Sequence, residues 1–345
     1  MSTTMKPPRF SLAHLGASIV LLTICASSTA SPLQLRTFVS SASLWFCSPD
    51  RITTWCSDTR AARVVRLTDS VDVDSIDDVS ESDGSLWTLA RSGIYAIDMG
   101  TGTITRIPAS ARYPSSAKCA ADQDYFWVAG SATLDRFDKL SREWQSFVLP
   151  DQVKGSVAVG LYSDGSAAYL FTNAITATFS IADEKWTARP TGGWELSASS
   201  RMFIDKNGPV FVDSLRACRY IIAAQSWDVV RAPSPLLDVL PQDTALYMLT
   251  GDNVLQYDTR GGVLKKLDIP DARGALRLAR MSGSLVLAAP RSFVVYADST
   301  RTSENLEMPA LTDAPETILS LVALGTTLVA AYPRSFASFD PSARV

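Results

Sequence analysis

The chain has 345 residues, 46% of them hydrophobic, with 32 Lys and Arg against 35 Asp and Glu. A formal charge of −3 excludes a partner held mainly through phosphate contacts, so no nucleic acid is expected. The only histidine is His14, inside the first thirty residues, so beyond them Ser-His-Asp and Cys-His nucleophiles and histidine-ligated zinc or copper are all excluded.

In chain order, Lys6 and Arg9 form a basic n-region, residues 12–25 an apolar h-region, and residues 26–30 a run of small residues. That sequence of features predicts a signal peptide over residues 1–30, cleaved after Ala30. The apolar stretch is shorter than the roughly 20 residues of a membrane span. Ile24 stands before Cys25 where a lipoprotein would need a small residue. The expectation is an exported chain, secreted or periplasmic, without a membrane span, whose single domain covers residues 31–345.

Next comes an isolated apolar run, residues 33–39, and then two runs flanking a short turn with Cys47 and Cys56 on either side. An oxidising compartment permits a disulfide between them. The stretch from Asp69 to Asp83 follows, with seven carboxylates and no base. Clustered aspartate oxygens suit a hard cation, which makes Asp69, Asp72 and Asp74 candidate calcium ligands. A solvated acidic loop holding no ion accounts for the same composition.

From here the chain repeats. Asp58, Asp98, Asp138, Asp258, Asp298 and Asp340 each close an apolar run, and Ser180 and Ile221 take the same slot in between. Prolines at 108, 150, 190, 233, 270 and 309 recur independently at intervals of 37 to 43. The period is about 41 residues, the length of a four-stranded unit. Residues 79–108 show how each unit is built: apolar runs separated by Asp-Gly, Ser-Gly and Gly-Thr-Gly, read as strand, turn, strand, turn, strand. Four short antiparallel strands per unit predict an all-β propeller of eight blades. Seven is the alternative, because the unit around Cys218 is the least regular. The last unit ends too soon for its outermost strand, so the run at 33–39 is expected to complete that blade and tie the ring shut.

Residues 79–98 and 121–137 resemble the repeats of two-component regulator propellers, where an Asp-Gly turn precedes a Leu-Trp strand and a Gly-led strand ends in an aromatic and Asp. Trp144, Trp186 and Trp227 follow their markers at a spacing similar to kelch repeats, without the paired glycines of that family. Residues 96–106 are similar to the docking motif of quinoprotein repeats, with Arg106 where that motif has Trp. These resemblances imply a propeller. They do not imply one function, because propellers host many.

Tryptophans recurring at one blade position (Trp45, Trp87 and Trp127; Trp144, Trp186 and Trp227) are expected to pack between blades. Arg51, Arg91, Arg216, Arg291 and Arg334 all fall at the turn between second and third strands, on the face that also carries the interblade loops. A partial arginine ring there could collect an anionic ligand, or each could be a turn residue paired to a neighbouring aspartate. The sequence thus points to a non-catalytic binding or scaffold propeller for a protein, peptide or glycan. A carboxylate-dependent glycan hydrolase or lyase in the central cleft is the alternative.

Overall fold

The computed structural model describes residues 36–339, apart from 41–42, 49–50, 60, 68–75, 198, 206, 243, 271, 291, 299, 308–317 and 333–335. The expected signal peptide lies outside the described residues. Those residues form eight antiparallel sheets in chain order, seven of four strands and the last of three. Blades 1 to 8 span residues 36–65, 76–107, 118–148, 158–190, 201–231, 236–267, 277–307 and 320–339. The eight-blade count holds, and the irregular unit around Cys218 is blade 5. There a one-turn 3-10 helix, Ile222–Ala224, replaces the Asp-led turn, which is why its marker is lost.

The repeat markers have local causes. Asp98 closes the third strand of blade 2, and its Oδ1 accepts hydrogen bonds from the amides of Gly100 (3.0 Å) and Thr101 (2.6 Å). Asp138 does the same for Leu140 and Ser141, both at 2.8 Å, and Asp258 for Arg260 at 2.9 Å. The recurring Asp is therefore a turn former, which offers the backbone a side-chain acceptor where the ladder ends. In blade 2 the Asp-Gly turn joins two strands with Ser82 opposite Ser85. Asp83 at φ 49° and Gly84 at φ 69° give the two-residue hairpin whose twist matches the strands.

The core is divided among eight wedges between neighbouring blades. Between blades 2 and 3, Trp87, Leu89, Ile94 and Ile107 pack against Cys119, Phe126, Val128 and Phe137. Trp87 stacks on Phe126 with centroids 5.1 Å apart, and Trp127 meets Phe179 of blade 4 edge-on at 6.1 Å. The recurring tryptophans are thus interblade packing, and Trp127 is fully buried.

Ring closure differs from the sequence expectation. The N-terminal strand, Arg36–Val39, does not complete blade 8; it is the innermost strand of blade 1, with Arg36 opposite Cys47 and Val39 opposite Leu44. A tight turn, with the Ser40 amide donating to the Ser43 carbonyl at 2.9 Å, makes that pairing local. A local hairpin forfeits far less chain entropy than one strand spanning the whole sequence. The ring closes face to face instead. Leu44, Phe46 and Trp55 pack against Val329, Ala331 and Phe336, and Thr37 Oγ1 lies 3.1 Å from Ser320 Oγ across the inner strands.

The disulfide expectation is also corrected. Cys47 and Cys56 are both free thiols. The register sets Cys47 opposite Ile52 and Cys56 opposite Ser43, at the two ends of one hairpin. Four positions along a strand separate them, roughly 13 Å, beyond the reach of a disulfide.

Candidate functional site

The inner strands meet around a central channel, and their first residues carry its charge. Arg36, Lys118, Arg201 and Arg277 open the inner strands of blades 1, 3, 5 and 7. Blades 2, 4 and 6 begin with a bulge, between Ile76 and Asp78, Ala158 and Gly160, and Leu236 and Asp238. In blades 2 and 6 the bulge turns an aspartate toward its neighbours. Asp78 Oδ1 lies 2.7 Å from Arg36 Nη1, and its Oδ2 accepts from the Cys119 amide at 2.8 Å. Asp238 Oδ2 accepts from the Leu278 amide at 2.9 Å, and Arg201 Nη1 stands 3.7 Å from its Oδ1. Arg277 donates to the carbonyls of Leu319 (2.8 Å) and Leu276 (2.7 Å), so it ties blade 7 to blade 8.

Arg36, Arg201, Asp238 and Arg277 border a cavity of about 560 Å³. Farther along it Asp205 is paired with Arg219, and Arg280 bonds Asp298 at 2.7 Å. Burial holds the Asp238 carboxyl above the ordinary carboxylate range and draws the Arg277 guanidinium down, despite their mutual attraction. Asp78, Asp205 and Asp238 are thus each committed to an arginine, a backbone amide or both. Their work is to join blades, as buried charges require partners.

A second cavity, about 1120 Å³, opens on the loop face at the end of the wedge between blades 2 and 3. Leu89, Ile94 and Ile107 form its floor, the turn Arg91–Ser92 one side, and the loop from Pro108 to Ser115 the other. Three arginines border it: Arg91, Arg106 and Arg112, all exposed. Among the described residues the one carboxylate in its lining is Asp77. Arg106 is held in place, its Nη2 donating to the Ser92 carbonyl at 3.1 Å. Gly93 lies directly beneath it, and a Cβ there would touch Arg106 Nε at 3.4 Å, an ordinary contact. Gly93 also sits at φ +146°, a conformation other residues rarely adopt.

The opposite wall is equally fixed. Trp144 Nε1 donates to the Pro108 carbonyl at 2.6 Å, and the Tyr113 hydroxyl donates to Asp135 Oδ2 at 2.7 Å. Burial, with Asp135 beside it, pushes the Tyr113 phenol well above its usual range, so it stays a neutral donor.

The five arginines of the sequence reading separate on these grounds. Arg91 borders the loop-face cavity. Arg216 is engaged internally: Nη2 lies 2.5 Å from Asp213 Oδ2 and 3.0 Å from the Glu195 carbonyl, with the guanidinium 5.9 Å from the Trp194 ring. Arg51 is half-buried at the start of the third strand of blade 1, where its carbonyl accepts from Ser48 Oγ at 3.0 Å. Arg291 and Arg334 lie outside the described residues, as do Asp69, Asp72 and Asp74. Among the described residues no three His, Cys, Asp or Glu side chains cluster as metal ligands, and no helix is long and apolar enough to cross a membrane.

Sequence reasoning missed Arg112 and the channel arginines as site residues. Arg112 lies in an interblade loop with no periodic signal, and the inner-strand starts are thrown out of step by the bulges. Arg106 did carry a signal, as the residue replacing Trp in the quinoprotein-like motif.

No protein-family model matches the chain, and no curated protein matches it. Solved structures do. The computationally designed protein Ika8 aligns with a TM-score of 0.60 and 13% identity, over 92% of this chain and 99% of that one. AztD from Citrobacter koseri aligns at 0.56 and 11%, over 80% and 86%. The extracellular domain of the putative one component system BT4673 from B. thetaiotaomicron aligns at 0.51 and 13%, over 92% of this chain and 39% of that one. The chain is an eight-bladed β-propeller. At such identities the likeness establishes the fold and leaves the function to the site.

Proposed function

We propose that this propeller is an exported, non-catalytic binding module that recognises its partner with the loop face. The observation that carries the reading is a contrast in how charge is used. The channel carboxylates Asp78, Asp205 and Asp238 are tied into blade-to-blade bonds. The cavity between blades 2 and 3 instead brings Arg91 together with two further exposed arginines on prearranged walls. Arg91 is the member of the sequence-stated set (Arg51, Arg91, Arg216, Arg291 and Arg334) on which the reading now rests most heavily. Such a face suits an acidic region of a protein, peptide or glycan. Export follows from the n-region, h-region and small-residue run of residues 1–30, and the BT4673 match is to a domain described as extracellular.

Hydrogen exchange of the protein, alone and mixed with a cell-envelope extract of its own host, tests the reading. Protection of the second-to-third-strand turns and interblade loops is expected. Protection confined to the opposite face, or none, would overturn it.

A further inference from the structure

The cleft between blades 2 and 3 has properties that go beyond a generally basic face. Its cations are local to one blade junction. At the outer-strand position of Arg106, opposite Tyr95, the other four-stranded blades place Val64, Ser146, Ala188, Val229, Lys266 and Asn305 opposite the corresponding third-strand residues. A role in folding common to all blades therefore does not explain the arginine at this position. Arg91 and Arg112 are exposed on the two facing walls, one on a strand turn and the other on the interblade loop. Neither wall is free to swing. The turn side is fixed by Arg106 on the Ser92 carbonyl, and the loop side by Trp144 on Pro108 and Tyr113 on Asp135.

Resting on the binding reading above, we infer that this cleft is a site for an anionic saccharide, one whose carboxylate or sulfate groups are clasped by Arg91 and Arg112 with Arg106 behind them. Guanidinium forks match planar oxyanions, and facing forks hold one between them. The flanks of Pro108 and Tyr113 supply apolar surface for the C–H faces of sugar rings, above the buried floor of Leu89, Ile94 and Ile107. A peptide fits less well. A peptide has no open sheet edge to join here, since the strand beneath the cleft is paired on both sides, Ile94 with Leu89 and with Ile107. The volume, about 1120 Å³, accommodates several sugar units rather than one.

The test is calorimetric titration of the full exported chain with tetragalacturonate and with a sulfated tetrasaccharide, against maltotetraose and tetraglutamate as neutral and peptide controls. At least one anionic saccharide is expected to bind, more weakly as salt is raised, while maltotetraose and tetraglutamate bind at least about tenfold more weakly. In the double variant Arg91→Ala/Arg112→Ala the anionic saccharide should lose at least about tenfold in affinity, with melting temperature unchanged because both side chains are exposed. Arg106→Lys, which keeps the charge and loses the fork, should lose less than that double variant.

Five outcomes would overturn the inference. Four are no binding of either anionic saccharide, equal binding of maltotetraose, tighter binding of tetraglutamate, and undiminished binding by the double variant. The fifth is binding that emerges only when Asp69, Asp72 and Asp74 are replaced by Asn, which would make the chain's own acids the occupant. Each of these leaves the loop-face reading standing if envelope extract still protects those loops from exchange; failure of that protection ends both.

Discussion

Two groups of arginines serve opposite ends in one ring. Arg36, Arg201 and Arg277 sit at the channel mouth, where Asp78 and Asp238 pair with Arg36 and Arg201 and backbone carbonyls accept from Arg277. Arg91, Arg106 and Arg112 border a cleft whose lining has, among the described residues, one carboxylate, and Arg106 donates there to a backbone carbonyl. Residue type and count do not separate the groups; the accounting of partners does. Where every charge has a partner, the arginine joins blades. Where guanidiniums gather on fixed walls with one carboxylate among the described lining residues, a ligand can supply the counter-charge.

Substitutions at the two places should therefore fail differently. The largest effect is expected in the channel. Asp238→Ala strips a buried carboxylate from Arg201, Arg277 and the Leu278 amide, and should cost about 3–5 kcal/mol by chemical denaturation. A loss below about 1 kcal/mol would show that the channel charges are solvated ornaments.

Because burial raises the folded pKa of Asp238, the folded state holds its proton more tightly than the unfolded chain. Stability from this group is full below the unfolded value and declines as pH rises through the folded one. Melting curves of the wild type and Asp238→Asn should therefore diverge as pH rises from below the ordinary carboxylate range to above the raised value, with the wild type losing ground. Parallel curves would refute the shift.

Next in size is Gly93→Ala, at about 1–3 kcal/mol, because it forces a side chain into a glycine conformation. This is the one cleft substitution expected to disturb folding. The smallest contrast is the most telling: Arg216→Ala should cost roughly 1–2 kcal/mol, since it forfeits a charged pair and a backbone bond. Arg91→Ala should stay within about 0.5 kcal/mol. Equal losses in the two would erase the distinction.

The architecture was legible because its signals are local and repeated. An Asp at the end of a third strand and a Pro near the end of a unit each recur in six of the eight units, and a Trp that fills a wedge recurs through the first five blades, so weak signals reinforce each other. Closure was misjudged because the run before blade 1 can pair either with a distant strand or with its neighbour, and only the turn at Ser40 favours the neighbour. The cysteine pair failed for a related reason, since closeness in sequence across a hairpin does not mean a shared register. The candidate site was half legible: Arg91 through its turn position and Arg106 through a motif departure. Arg112 could not be seen, because what makes it part of a site is the fold of a loop with no period.

Arginine-selective modification, read residue by residue by mass spectrometry with and without tetragalacturonate, tests the central distinction most directly. Arg91 and Arg112 should react fast and be shielded by the saccharide, while Arg36, Arg201, Arg216 and Arg277 react slowly whether or not it is present. Fast reaction of the channel arginines, or shielding that falls on them instead, would contradict the account.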